Sequence, residues 1–111
     1  MTREKAETLI EKYFEDGEFE RDLNRRVGYK TQSNDKKFQP ELFSYLKIEM
    51  VPYLTEMGFE CEIHDNPCKD AGPILVAFRK ENSHYPTVMT YGHGDVIDGY
   101  DGQWLDGINP W

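Results

Sequence analysis

The sequence predicts an α/β fold in which N-terminal helices pack on an incomplete mixed β-sheet. Two observations carry that expectation. Apolar residues recur at helical spacing through the first half of the chain, and from Phe59 onward the period changes to two. Helices followed by short strands bury their apolar faces best as layers, helix on sheet. At 111 residues, with 38% apolar, 31% charged and 14% aromatic side chains, the chain suits one modest ordered domain.

The first helix is read from Ala6, Leu9, Ile10, Tyr13 and Phe14, with Thr2 as N-cap and Gly17 as its stop. Phe19, Leu23 and Val27 repeat every four residues up to Gly28 and predict a second, shorter helix. Both stripes are expected to be packing faces. Residues 30–39 are polar and read as a surface loop. Pro40 suits the first turn of a third helix, and Leu42, Leu46, Met50, Tyr53, Leu54 and Met57 give that helix one apolar face. Pro52 interrupts it, yet the period resumes beyond, so a kink is expected rather than a break. Gly58 is the expected stop.

Phe59, Cys61 and Ile63 alternate with Glu60, Glu62 and His64, the pattern of a strand with one wet face. A turn follows over residues 65–72, then a second strand over 74–78, and Thr87–Tyr91 is predicted as a third after Pro86. Beyond Val96, isolated large apolar residues alternate with Gly, Asp and Pro, which predicts a loop ordered only if something covers Trp104 and Trp111. The final aromatic residue favours a chain that has been cut short.

Charge is uneven: residues 1–40 carry nine acidic and nine basic side chains, whereas 81–111 carry five acidic and none basic. Such a C-terminal third attracts cations and repels a phosphate backbone, which argues against a nucleic-acid partner. No apolar run is long enough to span a bilayer and no secretory signal opens the chain, so no membrane association and a cytoplasmic location are expected. Cys61 and Cys68, with six residues between them, match neither a redox pair nor a structural zinc site and are expected as free thiols.

Chemistry concentrates in Tyr91-Gly92-His93-Gly94-Asp95-Val96. A histidine at a strand end can ligate a hydrolytic zinc, which typically takes three protein ligands and keeps one open position. Asp95, two residues on, can accept the ring's other N–H and fix the tautomer. Gly92 and Gly94 leave room around the imidazole. A bare His-x-Asp match is short and frequent, and taken alone a loop histidine beside a turn-forming Asp is the better account of it. His64 and His84 read as surface residues, and the spacing of Asp98, Asp101 and Asp106 does not match a calcium loop.

The wider string is more specific. Val88-Met89-Thr90-Tyr91-Gly92-His93-Gly94-Asp95-Val96, followed by Trp104 and Asn109-Pro110-Trp111, resembles the first metal-ligand segment of the zinc-dependent aminoacylase, carboxypeptidase-G and succinyl-diaminopimelate desuccinylase family. The order of helices and strands before it is similar to that family's. The resemblance implies that residues 1–111 are the N-terminal part of a zinc-peptidase catalytic domain, a partial domain truncated before the remaining metal ligands. It implies His93 as a ligand in a centre of two Zn2+ ions, Asp95 as the catalytic carboxylate orienting it, and a small peptide or N-acyl amino acid as substrate of the complete protein. The bridging carboxylate and the general-base glutamate would lie beyond Trp111. Asp98 and Asn109 depart from the family's usual proline and acidic residue. The fragment alone is expected to be inactive and metal-free or weakly binding. Two alternatives stand beside this: a non-catalytic interaction module or self-associating remnant, forming a homo-oligomer through an exposed sheet edge, and an unrelated metal enzyme completing its site across an oligomer interface.

Overall fold

The computed structural model describes residues 2–111 and has a mixed α/β architecture. Helix α1 runs Arg3–Glu15 and α2 Glu18–Val27. Thr2 caps α1 by accepting the Lys5 N–H at 3.4 Å, and Gly17 separates the two helices at φ 68°, a left-handed conformation that suits glycine. The two helices turn back on each other around Phe14 and Phe19, whose rings stack at 4.5 Å, with Tyr13 edge-on to both. Their stripes are only partly covered, since Leu9, Ile10, Phe14 and Leu23 all stay about half exposed.

The third helix is continuous in path but not in register. It opens with a 3-10 turn at Lys36–Phe38, continues as α3 (Gln39–Ser44), widens into a π-helical segment (Tyr45–Met50) and returns as α4 (Val51–Glu56). The cause is Pro52, which has no N–H to give and whose ring crowds the carbonyl four residues back. In the widened turn the Val51 N–H bonds to Leu46 O, five residues back, and the helix passes the proline without breaking. Gly58, at φ 83°, then ends the helical run as expected.

An ion cluster stitches α2 to this helix. Glu49, only 6% exposed, accepts a two-pronged bond from Arg25 at 2.7 and 2.8 Å and a third from Arg26 at 3.2 Å. Arg25 also reaches Asp22, which in turn accepts the Tyr13 hydroxyl at 2.8 Å, so α1 joins the same network. The Arg26 guanidinium lies over the Tyr53 ring at 4.4 Å. Hydrogen bonds from Arg25, then Arg26, hold the Glu49 carboxyl below its usual range against the opposing effect of desolvation.

Strands β1 (Glu60–His64) and β2 (Ile74–Phe78) pair antiparallel, with Glu60 opposite Phe78 and His64 opposite Ile74. Cys61, Ile63, Leu75 and Ala77 share the half-buried face, and α4 packs on β1. Ile74, Val76 and Phe78 point the other way and are 44–51% exposed. Both cysteines are free thiols, Cys61 half-buried in β1 as expected. The expected third strand is not formed: residues 87–91 make no ladder with β2, and Val88, Met89 and Tyr91 are 81–93% exposed. A strand exists through its partner, and no described segment pairs with this one, so β-propensity alone does not make it a strand. The mixed sheet reduces to an antiparallel pair plus one parallel bridge, Gln32 to Val96.

Leu42, at 7% exposure, is the one buried hydrophobic side chain among the described residues. The molecule measures 51 × 40 × 18 Å, with a radius of gyration of 17.1 Å where a compact domain of this length has about 13 Å. It is a slab with a thin core, tied together by polar contacts as much as by apolar burial. No helix of the described residues is long and apolar enough to cross a membrane.

Candidate functional site

His93 and Asp95 meet as their spacing suggested. His93 Nδ1 lies 2.9 Å from Asp95 Oδ1. Asp95 Oδ2 accepts a second bond, from the Ser33 hydroxyl at 2.7 Å. That hydroxyl first, and the His93 ring N–H after it, hold the Asp95 carboxyl below its usual range although desolvation pushes the other way. An ionised carboxylate only accepts, so Nδ1 is the nitrogen that donates, and in the neutral imidazole the lone pair for a cation is on Nε2. The imidazole is 71% exposed, which keeps that outer nitrogen accessible.

The rigidity behind the pair does not come from a strand end. It comes from residues 31–34, in the stretch expected to be a surface loop. Thr31 and Gln32 are instead among the most buried residues of the chain, at 2% and 7% exposure. The Thr31 hydroxyl donates to Gly94 O at 2.7 Å, its carbonyl accepts the Val96 N–H at 3.0 Å, and Asn34 donates to Asp98 at 3.0 Å. Each contact spans more than 60 residues of sequence, so the loop acts as a clamp on residues 94–98. Sequence reasoning missed Thr31, Ser33 and Asn34. The available signal was that Thr31-Gln32-Ser33-Asn34 is an uninterrupted run of uncharged hydrogen-bonding side chains in a strongly charged chain.

The two glycines differ. Gly92 faces open space, as expected of a residue leaving room beside His93, whereas a methyl at Gly94 would overlap the Tyr45 ring. Gly94 is therefore needed for backbone to lie on Tyr45, which the π-helical segment carries and Tyr29 flanks edge-on at 5.6 Å. The C-terminal loop is partly covered: Trp111 packs on Gly99, donates to Asp101 at 3.0 Å and lies under Lys30, while Trp104 donates to Gly99 O at 2.6 Å and is half exposed. His64 contacts Glu62 on the exposed face of β1, and His84 sits in the turn after β2 with its backbone bonded to Asn82.

His93 has the donor chemistry of a zinc ligand, a free imidazole nitrogen with a carboxylate behind the other. Among the described residues, however, no group of three His, Cys, Asp or Glu side chains converges to hold a metal ion. The chain supplies one ligand with its orienting partner, short of the three a hydrolytic zinc takes. Comparisons of the chain with protein-family models, curated proteins and solved structures gave no match in any of the three.

Proposed function

We propose that this chain contributes His93, oriented by Asp95, to the zinc centre of a dinuclear amide hydrolase acting on a small peptide or N-acyl amino acid, as the resemblance to the aminoacylase and carboxypeptidase-G family implies. The supporting observation is the His93 to Asp95 bond of 2.9 Å, with the carboxylate held from its far side by Ser33. That arrangement fixes the ring proton on Nδ1 and presents Nε2 outward. Zinc bound there would supply Lewis acidity toward a carbonyl and toward water. The acidic balance of residues 81–111, five carboxylates and no basic side chain, favours a cation over an anion as the partner. With one ligand in hand, the chain alone is inactive toward amides and binds zinc weakly. Zinc titration followed by imidazole NMR is expected to perturb His93 at near-millimolar metal and not in His93→Ala; submicromolar affinity in a monomer, or perturbation of His64 or His84 in place of His93, would refute the reading.

A second reading has its own observation. The outer face of β2 exposes Ile74, Val76 and Phe78 in one row, and β2 is paired on one edge only. A second copy could add a strand at that edge and extend the sheet, and face-to-face packing of two such rows would cover them, giving a self-associating, non-catalytic module. Sedimentation is then expected to show dimers that Val76→Lys abolishes, and a wild-type monomer at about 100 μM, roughly a hundredfold above a micromolar dissociation constant, would rule it out.

A further inference from the structure

We propose that Ser33 is a positioning residue that selects the tautomer of His93 through Asp95. This rests on the reading of His93 as the group that meets the cation. A carboxylate on a two-torsion side chain has no reason to present one oxygen steadily to an imidazole two residues away, especially where both side chains are substantially exposed. The Ser33 hydroxyl removes that freedom. It bonds Oδ2 at 2.7 Å, which leaves Oδ1 facing His93 Nδ1 at 2.9 Å.

Ser33 is itself held. It follows Gln32, which bridges Val96 in parallel, and Thr31, whose hydroxyl and carbonyl grip Gly94 and Val96 on either side of Asp95. The hydroxyl is thus delivered to Asp95 by backbone fixed on both flanks rather than by a mobile loop tip. Its neighbour Asn34 bonds Asp98 and not Asp95, so the two adjacent side chains have separable tasks, one orienting the site and one closing the clamp. Ser33 is exposed, so truncating it removes the hydroxyl without emptying a packed space.

Nitrogen-15 NMR of the His93 ring in the metal-free chain, at a pH where the imidazole is neutral, tests this directly. The wild type is expected to give the Nδ1–H tautomer with a hydrogen-bonded Nδ1 proton resonance. Ser33→Ala should lose that resonance and shift the ring toward the Nε2–H form, Ser33→Thr should restore it, and Asn34→Ala should leave it in place. Zinc affinity at His93 should fall about tenfold in Ser33→Ala, the lower end for loss of a group behind a metal-binding histidine. An unchanged tautomer in Ser33→Ala, or an equal change in Asn34→Ala, overturns the proposal. Tautomer loss in Ser33→Ala together with no zinc response at His93 in the wild type upholds the positioning role and counts against the zinc reading instead.

Discussion

Glu49→Gln is expected to destabilise the chain by about 2–3 kcal/mol, a large share of what so thin a core can supply. Glu49 is the common acceptor for Arg25 and Arg26, and it joins α2 to the helix that carries the rest of the molecule. An amide retains the shape but loses the charge and one of the acceptor oxygens. Arg25, about half exposed, can turn back to water. Arg26 cannot do so as easily, because its Nη2 is already buried without a hydrogen-bond partner. The loss therefore falls below that of breaking a fully buried pair and above that of a surface one. Urea denaturation should show the midpoint drop by roughly 1–2 M at an unchanged slope; a midpoint equal to wild type would show that the cluster adds nothing.

The same cluster sets an acid limit. Glu49 and Asp22 both have carboxyls held below their usual ranges, Glu49 chiefly by Arg25 and Asp22 chiefly by the Tyr13 hydroxyl. A depressed folded-state pKa means the stabilisation is fully present above the unfolded value, about 4 for these side chains, and is lost as pH falls through the lower folded value. Wild-type stability should accordingly fall below about pH 4, and the Glu49→Gln variant should lose less over that window.

The elements legible in the sequence were those whose reasons are local. Thr2, Gly17 and Gly58 act where their chemistry placed them, and the period-two pattern found β1. Pro52 was read as a kink without a break, and the π-helical segment is the form it takes. What the sequence hid depends on partners far along the chain. Thr87–Tyr91 has strand composition but no neighbour to pair with. Residues 30–39 look like a solvated loop because Thr31 and Gln32 are polar, and their burial follows from bonds to residues 94–96, which no local pattern announces. Half of the candidate site, His93 with Asp95, lay in a two-residue spacing. The other half, Ser33 and the clamp around it, lay more than 60 residues away in sequence.

Gly94→Ala should be costly where Gly92→Ala is nearly neutral, although the two glycines flank the same histidine. At Gly92 a methyl meets nothing, so the change is expected to stay within about 0.5 kcal/mol. At Gly94 it overlaps the Tyr45 ring, which is half-buried and braced by Tyr29. The ring has little freedom to retreat, so the backbone at 94 must lift. That movement strains the bond from Thr31 to Gly94 O and the Val96 N–H bond to Thr31 O, and with them the alignment of Ser33, Asp95 and His93. Overpacking of this kind costs about 1–3 kcal/mol, and the His93 Nδ1 proton resonance should be lost with it. Tyr45 supplies the check: if the overlap is the cause, Gly94→Ala should cost far less in a Tyr45→Ala background than in the wild type, a coupling read from the four denaturation curves of a double-mutant cycle. Equal cost in both backgrounds would move the origin of the effect from the Tyr45 contact to the backbone of Gly94 itself.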